Sequence, residues 1–586
     1  MKQFLKFTFA SMLGFFLSIA FVMFIFFVFT FAIVSSIDTT EKVTVSENTI
    51  LELKFDYEIP ERTTYEPIVT FSAIPSMQKN LGMNDIVDAI ESAKYDNKIK
   101  GIFINLDNVI VGGLSKINTL RMALESFKES NKFILAHGNS IDEKGYFLSS
   151  AADSIYLTPT GSLEFDGFGI EVMFFKKALD RLEIEPQIFQ YGKFKSATEP
   201  FKLEKFSEEN KIQLDKYLFS VYDNYISTLS EARNIDAESL KSYADKLLVK
   251  SAEDAMKLGL VTDLLYNDEV ESRLEALMDS SLQIKKISAK KYFYSVNNSN
   301  SSDNRIAVIY ALGEILNNEG DEFTIGTENI INSIRKAKEN KKVKAIVMRV
   351  NSPGGSPLTS DMIWHEIELA KKVKPFIVSM SNMAASGGYY ISCNADVIVS
   401  EPTGLIGSIG VYGVLPNTQK FFDNKLGVTF DRVLTGENSN LFSITTPMNK
   451  EQKKYFQKQI DDIYFDFVDR VSRGRNMTFE EVDEIAQGRI WSGIDAKNIG
   501  LVDTLGGLDL ALNIAAEKAD IKDYKIVEYP VQKEAFEKIM ELLSSEIESK
   551  IFTKNLPEEI SKVSKFTEFL KYTGIQARLP FEYIIN

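Results

Sequence analysis

The chain contains an internal repeat with a spacing of about 243 residues. The segment Gly82–Lys94 pairs with Gly326–Lys338, and both have the apolar spacing of an amphipathic helix. Later correspondences follow in the same order, namely Gly112-Gly113 with Gly354-Gly355, Gly145–Asp153 with Gly388–Asp396, and Gly259–Val261 with Gly500–Val502. Strands alternate with helical patterns in each half. The repeat therefore predicts two copies of one α/β fold built of repeated β–α units.

The two halves differ in the residues that carry chemistry. At the repeat spacing, Ser386 lies opposite Glu143, so the first half lacks this serine. Conversely, the first half contains Lys193 and Lys195 in a segment whose counterpart, Thr435–Asn440, has no lysine. A Ser–Lys pair assembled from both halves accounts for the two losses together.

Ser386 lies where a nucleophile would be accessible. It follows the apolar run Phe376–Met380 and precedes a helical pattern, which predicts a strand-to-helix turn. Gly354 and Gly355 end another strand, and a Gly-Gly turn can direct backbone N–H groups at an oxyanion. The alternatives are close packing at a helix start for the serine and a tight loop for the glycines.

The general base is not expected to be histidine. The chain has two histidines, His137 and His365, and neither lies in a motif suited to activating Ser386. A lysine base must be neutral, so burial has to lower its pKa of about 10.4 by roughly 3 units. Lys193 and Lys195 both remain candidates, because they share a face in an extended segment but not in a helical one.

Composition excludes several classes of protein. The formal net charge is −15, which argues against nucleic acid as the main partner. The single cysteine, Cys393, excludes an intramolecular disulfide framework and a cysteine-based metal site. Ser–Lys hydrolysis needs no metal or organic cofactor, and none is expected.

The N-terminal region predicts a membrane anchor. No residue from Phe7 to Ile37 is charged, whereas about 20 apolar residues suffice to cross a bilayer. Lys2 and Lys6 precede this run, so the short N-terminus is expected in the cytoplasm and the rest of the chain outside it. A cleaved signal peptide is the alternative, but its apolar region would be shorter, about 7–15 residues.

Taken together, these motifs resemble those of the signal peptide peptidase A (protease IV) family in its long, duplicated form. The resemblance is carried by Asn351–Gly355, Met383–Tyr389, Gly404–Gly410 and Gly192–Ala197. It implies tandem ClpP/crotonase-like domains of repeated β-β-α units and a homotetramer. It also implies a serine endopeptidase of the bacterial cytoplasmic membrane that degrades cleaved signal peptides and other apolar peptides at the outer face.

The resemblance also implies a role for each matching residue. Ser386 becomes the nucleophile, Lys195 the general base, and Ser408 the residue that orients the lysine amine. Gly354 and Gly355 fall where the family builds its oxyanion hole. An extended substrate that adds a strand to an exposed sheet edge would fit this kind of protease.

The expected organisation is an anchor (1–40), a first repeat that contributes the lysine (41–290), a linker (291–304), a second repeat that contributes the serine (305–530), and a C-terminal tail (531–586). Two other functions fit the residues less well. A catalytically idle membrane scaffold does not explain why serine and lysine are kept in opposite halves. A crotonase-like acyl-CoA enzyme has no reason for an anchor or a Ser–Lys pair.

Overall fold

The computed structural model describes residues 2–35, 43–68, 76–278, 284–296, 302–533, 537–538 and 574–578. Residues 43–296 are called the first half here, and residues 302–533 the second half. Each half is built around a mostly parallel sheet, which confirms the predicted α/β class and the duplication. Of the expected linker, residues 291–296 belong to a helix and residues 297–301 lie outside the described residues.

The first half follows an N-terminal helix, α1 (Lys2–Ser35). Its strands are β1 (Thr49–Lys54), β2 (Thr64–Ile68), β3 (Ser76–Asn80), β4 (Ile99–Asn105), β5 (Phe133–Ile141), β6 (Ser154–Leu163), β7 (Glu185–Tyr191), β8 (Asp263–Leu264) and β9 (Lys285–Ser288). Its helices are α2 (Met83–Tyr95), α3 (Leu114–Lys128), α4 (Glu143–Ser149), α5 (Lys176–Leu182), α6 (Glu199–Lys202), α7 (Glu208–Arg233), α8 (Ala237–Asp245), α9 (Ala252–Lys257), α10 (Asn267–Ala276) and α11 (Ala289–Val296).

The second half and the tail contain the remaining elements. The strands are β10 (Arg305–Leu312), β11 (Val343–Ser352), β12 (Gly354–Gly355), β13 (Phe376–Ala385), β14 (Val397–Ser400), β15 (Leu405–Gly407), β16 (Val411–Asn417), β17 (Ile490–Ser492), β18 (Thr504–Leu505), β19 (Lys525–Tyr529) and β20 (Gly574–Arg578). The helices are α12 (Thr327–Glu339), α13 (Pro357–Lys371), α14 (Gly387–Tyr390), α15 (Lys450–Arg475), α16 (Phe479–Ile485), α17 (Gly493–Asn498) and α18 (Leu508–Lys518).

The two main sheets have matching topology. The first is ordered β8-β6-β5-β4-β1-β9, and all of its pairs are parallel. The second contains the same path as β18-β14-β13-β11-β10-β19; in addition, β15 pairs with β13, and β17 pairs antiparallel with β15. The repeated helices bury their predicted apolar positions, Ile86 and Ile90 in α2 and Ile330 and Ile334 in α12.

A third sheet joins the halves. Its order is β12-β20-β16-β7, so strand β7 of the first half pairs with strand β16 of the second. The pairing is antiparallel and runs from Tyr191 opposite Val411 to Glu185 opposite Asn417. Because β7 has no counterpart strand in the described part of the second half, this seam is a point where the repeat is broken.

Helix α1 is the one helix in the described residues that is long and apolar enough to cross a membrane. Its segment Lys6–Ile25 has a mean hydropathy of 2.2, and none of that segment is buried by the rest of the chain. A helix that is apolar on all sides and lacks protein contacts requires a lipid environment or another apolar partner. These properties are consistent with the expected membrane anchor.

A buried ion pair also connects the halves. The Arg349 Nε on β11 donates to Glu61 Oε2 at 2.9 Å, and the side chains are only 2% and 4% exposed. Glu61 also accepts from Ser381 Oγ at 2.5 Å and from Asn351 Nδ2 at 3.1 Å. Burial raises the pKa of Glu61, but Arg349, Lys116 and Ser381 outweigh burial and leave that pKa below its usual value. Glu61 thus holds the two strands that precede Gly354 and Ser386.

We predict that Glu61→Ala lowers the free energy of unfolding by about 3–5 kcal/mol, because Arg349 would be left buried without its carboxylate. Denaturant unfolding of the detergent-solubilised chain measures this change. The matched control is Asp462→Ala, which removes an ion pair with Lys458 whose side chains are 57% and 74% exposed. That change should stay below about 1 kcal/mol. Equal effects of the two substitutions would contradict the assignment.

Candidate active site

Ser386 occupies a strained turn between strand and helix. It follows β13 directly, precedes α14, and has φ 54° and ψ −116°. A non-glycine residue rarely adopts positive φ, and such strain concentrates at functional sites. The Ser386 N–H donates to the Gly407 carbonyl at 2.7 Å, which fixes the turn against β15. The predicted strand-to-helix turn is therefore observed, although Ser386 itself is fully buried.

Lys195 reaches Ser386 from the other half. The chain leaves β7 at Tyr191 and turns at Gly192, where φ is 98°. The Phe194 N–H donates to the Gln487 carbonyl at 3.0 Å, so the turn is fixed to the second half. Lys195 follows at the start of a 3₁₀ turn, and its side chain is only 1% exposed.

The lysine amine contacts both predicted serines. Lys195 Nζ lies 2.9 Å from Ser386 Oγ and 3.0 Å from Ser408 Oγ. It also lies 3.1 Å from the Ser408 carbonyl oxygen. Ser408 has φ 51°, and its N–H donates to the Arg489 carbonyl at 2.7 Å. The structure thus brings Ser386, Lys195 and Ser408 into one hydrogen-bonded cluster.

The surroundings of Lys195 favour the neutral amine. Burial lowers its pKa from 10.5 to about 7, and within the described part of the chain no neighbouring charge contributes to the shift. An ammonium ion without a carboxylate partner is costly in such a place, since its hydration is not replaced. Near pH 7 a substantial fraction of Lys195 is therefore neutral, which is the form able to accept a proton.

Lys193, the rival candidate, points elsewhere. Its side chain is exposed, and its Nζ lies 5.3 Å from the centre of the neighbouring Phe194 ring. The two lysines separate because the segment after Gly192 is a tight turn rather than a strand. The sequence left this choice open because the period of side-chain direction depends on local backbone geometry.

The predicted Gly-Gly turn lies beside Ser386. Gly354 and Gly355 have φ of 97° and 154°, in the region that favours glycine. A methyl group built on Gly354 would lie 2.7 Å from the Gly387 nitrogen, the amide that follows Ser386. The Gly354 N–H itself donates to Ser352 Oγ at 3.2 Å. The backbone of this turn and the Gly387 amide therefore border the same space.

Both halves match a known family. Peptidase family S49 matches residues 126–281 and 368–522.

The chain belongs to peptidase family S49.

Relatives agree with this assignment. Protease 4 of Haemophilus influenzae is 35% identical over 74% of this chain and 72% of its own length. Protease 4 of Salmonella typhi is 34% identical over 83% of this chain and 78% of its own length. Among solved structures, ClpP1 from Listeria monocytogenes covers 34% of the chain with a TM-score of 0.23 and 15% identity, values too low to decide the fold. The chain is thus a serine protease, as predicted.

Two glycines of this S49 peptidase make room for Lys195. The sequence analysis did not assign either of them to the site. A methyl group on Gly488 would lie 2.6 Å from the Lys195 backbone, and one on Gly410 would lie 3.2 Å from Lys195 Cδ. Gly488 also has φ 84°. Its signal in the sequence is only a Gln-Gly pair, which is typical of any turn. The function of Gly488 becomes visible only when the halves are brought together.

The remaining polar candidates lie outside this cluster. His137 is buried in β5, with its Nε2 within 3.2 Å of the Leu265 carbonyl, and His365 is exposed on α13. Glu143, the counterpart of Ser386, accepts from the backbone amides of Gly167 and Asp166. Among the described residues, no group of three or more His, Cys, Asp or Glu side chains is arranged to hold a metal ion.

The burial of Lys195 makes a prediction about stability. From about pH 7 to pH 10.5, the unfolded chain holds the Lys195 proton and the folded peptidase does not. The free energy of unfolding should therefore rise with pH, by up to about 1.4 kcal/mol per unit. Lys195→Met has no amine to titrate at this position and should be more stable than the wild type at pH 7. This difference in the free energy of unfolding should shrink between pH 7 and 10, because the contribution of Lys195 rises with pH in the wild type alone. Denaturant titrations at several pH values measure the difference, and a constant difference would contradict a lowered pKa.

Proposed function

We propose that this S49 serine protease hydrolyses peptide bonds with a dyad of Ser386, the nucleophile, and Lys195, the general base. The observation that carries the proposal is the 2.9 Å distance between Lys195 Nζ and Ser386 Oγ, with both residues buried. A base within hydrogen-bond distance of a nucleophile, held by a third group, is the arrangement that nucleophilic catalysis requires.

Ser408 orients the amine in this proposal. A neutral amine has two N–H groups and one lone pair. If the two N–H groups donate to Ser408 Oγ and to the Ser408 carbonyl, the lone pair is left for the Ser386 hydroxyl. The other acceptor for that hydroxyl is the Gly410 carbonyl at 3.3 Å, a longer distance. Ser408 thereby favours the direction of proton transfer from serine to lysine.

The reaction then follows in two steps. Lys195 takes the proton of Ser386 Oγ as that oxygen attacks the substrate carbonyl carbon, and the C–N bond breaks as the lysine returns the proton to the leaving amine. In the second step water attacks the carbonyl carbon of the acyl-serine while Lys195 takes a proton from the water; the ester C–O bond then breaks and Lys195 returns the proton to Ser386 Oγ. The backbone of Gly354 and Gly355, together with the Gly387 amide, borders the space where the oxyanion would form and is proposed to stabilise it.

The substrates proposed are cleaved signal peptides and other apolar peptides. An anchor formed by α1 would keep the site beside such peptides, and Lys2 and Lys6 favour a cytoplasmic N-terminus with the catalytic part outside.

We further propose a homotetramer. The boundaries proposed for the two repeats are 41–290 and 305–530.

The dyad is tested by cleavage of an apolar fluorogenic peptide. Ser386→Ala and Lys195→Ala should each lower kcat by at least about 10³-fold, because neither residue can activate the reaction alone. Lys193→Ala is the matched control and should retain activity, since that amine is exposed. In the wild type, kcat/KM should rise with pH and reach half its maximum near pH 7, where Lys195 loses its proton. If only Lys193→Ala is inactive, the base is assigned wrongly.

The glycine turn is tested separately. Gly354→Ala should lower kcat by about 10²–10³-fold, a loss similar to that of one oxyanion donor, because the added methyl would occupy the space beside the Gly387 amide and keep the oxyanion away from it. The added methyl would lie 2.7 Å from the Gly387 nitrogen and would require positive φ at an alanine. Gly169→Ala is the control, because nothing lies within 4 Å of its added methyl. Full activity of Gly354→Ala would exclude this turn from the oxyanion site.

A further inference from the structure

One glutamine side chain contacts the turn that carries Lys195. Gln213 lies in α7, and only 1% of it is exposed. Its Nε2 atom lies 3.0 Å from the Phe194 carbonyl oxygen and 3.0 Å from Ser196 Oγ. Phe194 and Ser196 are the neighbours of Lys195 in the chain. The carboxamide therefore contacts the residue before the proposed base and the residue after it.

The same carboxamide also binds the second half. Gln213 Oε1 accepts from the Ile490 N–H of β17 at 3.2 Å. Ile490 directly follows the turn 487–489, which accepts hydrogen bonds from the Phe194 and Ser408 N–H groups. Gln213 thus joins the segment that carries the proposed base to the segment that fixes Ser408.

Gln213 belongs to a row of α7 side chains that dock on the second half. The Tyr217 hydroxyl donates to the Thr403 carbonyl at 3.2 Å, and Ser220 Oγ lies 2.7 Å from Ser492 Oγ. Residues 213, 217 and 220 recur at helical spacing and share one face of the helix. Neither of the two later contacts includes a residue of the lysine turn. Docking of this face therefore brings Gln213, alone of the three, to that turn.

A buried network behind Gln213 fixes the direction of its carboxamide. Asn210 Nδ2 donates to Glu199 Oε2 at 2.9 Å, and the Ser207 N–H and hydroxyl donate to the same carboxylate. Because a carboxylate only accepts, Asn210 turns its N–H groups toward Glu199 and its oxygen toward Gln213. Gln213 Nε2 lies 2.9 Å from that oxygen. The Gln213 carboxamide must therefore direct its N–H groups at Asn210 and the lysine turn, and its oxygen at Ile490.

We propose that Gln213 is a positioning residue of the dyad, which holds the Lys195 turn so that the amine stays buried between Ser386 and Ser408. This role rests on the proposed function. The contacts of Lys195 Nζ are with the two serines, so Gln213 acts through the backbone of the turn. Displacement of a catalytic group by about 1 Å can lower a rate by about 10²-fold, even when the altered residue lies away from the reacting atoms.

The charged groups near the lysine turn do not bind the amine. Glu199 is held within the network described above, and Lys193 is exposed. The Arg489 Cζ atom lies 4.9 Å from the centre of the Phe194 ring. Within the described part of the chain, burial is the cause that lowers the pKa of Lys195 to about 7. A turn released from Gln213 would admit water to the amine and move that pKa back toward 10.5.

The rate and its pH dependence in Gln213→Met test the proposal. Methionine fills a similar volume but has no N–H group and only a weak acceptor. For the fluorogenic peptide, kcat should fall about 10–100-fold, because the amine is less well placed. The pH of half-maximal kcat/KM should rise from about 7 by about one unit, because the amine is less well buried. A smaller fraction of folded protein would lower the rate without moving this midpoint.

Tyr217→Phe is the matched control. It removes the hydrogen bond from α7 to Thr403, one helical turn beyond Gln213, and leaves the contacts of the lysine turn in place. Its kcat should stay within about twofold of the wild type. Its midpoint should stay near pH 7. An equal shift of the midpoint in the two variants would overturn the proposal, because docking of α7 as a whole would then place the base.

A double-variant cycle separates placement of the base from a general effect on the site. In the Lys195→Ala background, Gln213→Met should lower the residual rate by less than about twofold, because its effect passes through the lysine. A further loss as large as that in the wild-type background would show that Gln213 acts on the site without Lys195. That result would overturn the proposal.

Gln213→Glu provides a second variant of nearly the same shape. Glutamate keeps an oxygen for the Ile490 N–H, but its carboxylate has no N–H group for the Phe194 carbonyl. The added negative charge near Lys195 favours the ammonium form, so the midpoint should rise by at least about one unit. A midpoint that stays near pH 7 in both variants would contradict the proposal. Failure of both variants to fold would also overturn it, since Gln213 would then be needed to assemble the halves.

The outcomes separate this proposal from the dyad. Inactive Ser386→Ala and Lys195→Ala, together with a wild-type kcat and midpoint in Gln213→Met, would refute the role of Gln213 and leave the dyad intact. Full activity of Lys195→Ala would refute the dyad itself, and the positioning role with it.

Discussion

The chemistry proposed for this protein depends on the removal of one lysine amine from water. In water, Lys195 would be an ammonium ion and could not take a proton from a serine. Burial lowers its pKa to about 7, and the oxygens of Ser408 satisfy its hydrogen bonds without introducing a negative charge. A carboxylate partner would have stabilised the charged form instead. The neutral form is therefore favoured by burial, with no carboxylate beside the amine among the described residues.

Burial of that amine requires both halves of the chain. Strand β7 pairs with β16 and brings the Lys195 segment to the second half. The Gln487 carbonyl accepts a hydrogen bond from this segment, and Gly488 leaves room for the Lys195 backbone. The ion pair between Glu61 and Arg349 fixes the strands that lead to Gly354 and Ser386. Duplication permits this division, because one copy can lose its serine and the other its lysine without loss of either fold. Glu143 is an example of this loss. It stands at the position that corresponds to Ser386, and its carboxylate accepts hydrogen bonds from two backbone amides.

The third sheet connects the strand that precedes the Lys195 segment with the Gly354-Gly355 strand. Its order is β12-β20-β16-β7, so strand β16 pairs with β7 on one edge and with β20 on the other. The antiparallel pairing of β7 with β16 brings the chain that leads to Lys195 onto the second half. The proposed base and the proposed oxyanion turn are thus carried by one sheet that contains strands of both halves.

The sequence by itself determined the α/β class, the duplication, the apolar N-terminal segment and the candidates Ser386, Gly354 and Gly355. These follow from local periodicity, from small residues at strand ends and from comparison of the halves. It could not choose between Lys193 and Lys195, because side-chain direction depends on a turn that contacts with residues 487–489 hold in place. It gave no role to Gly488 or Glu61. Only the tertiary structure decided these, because each acts through a contact with a distant part of the chain that has no local pattern.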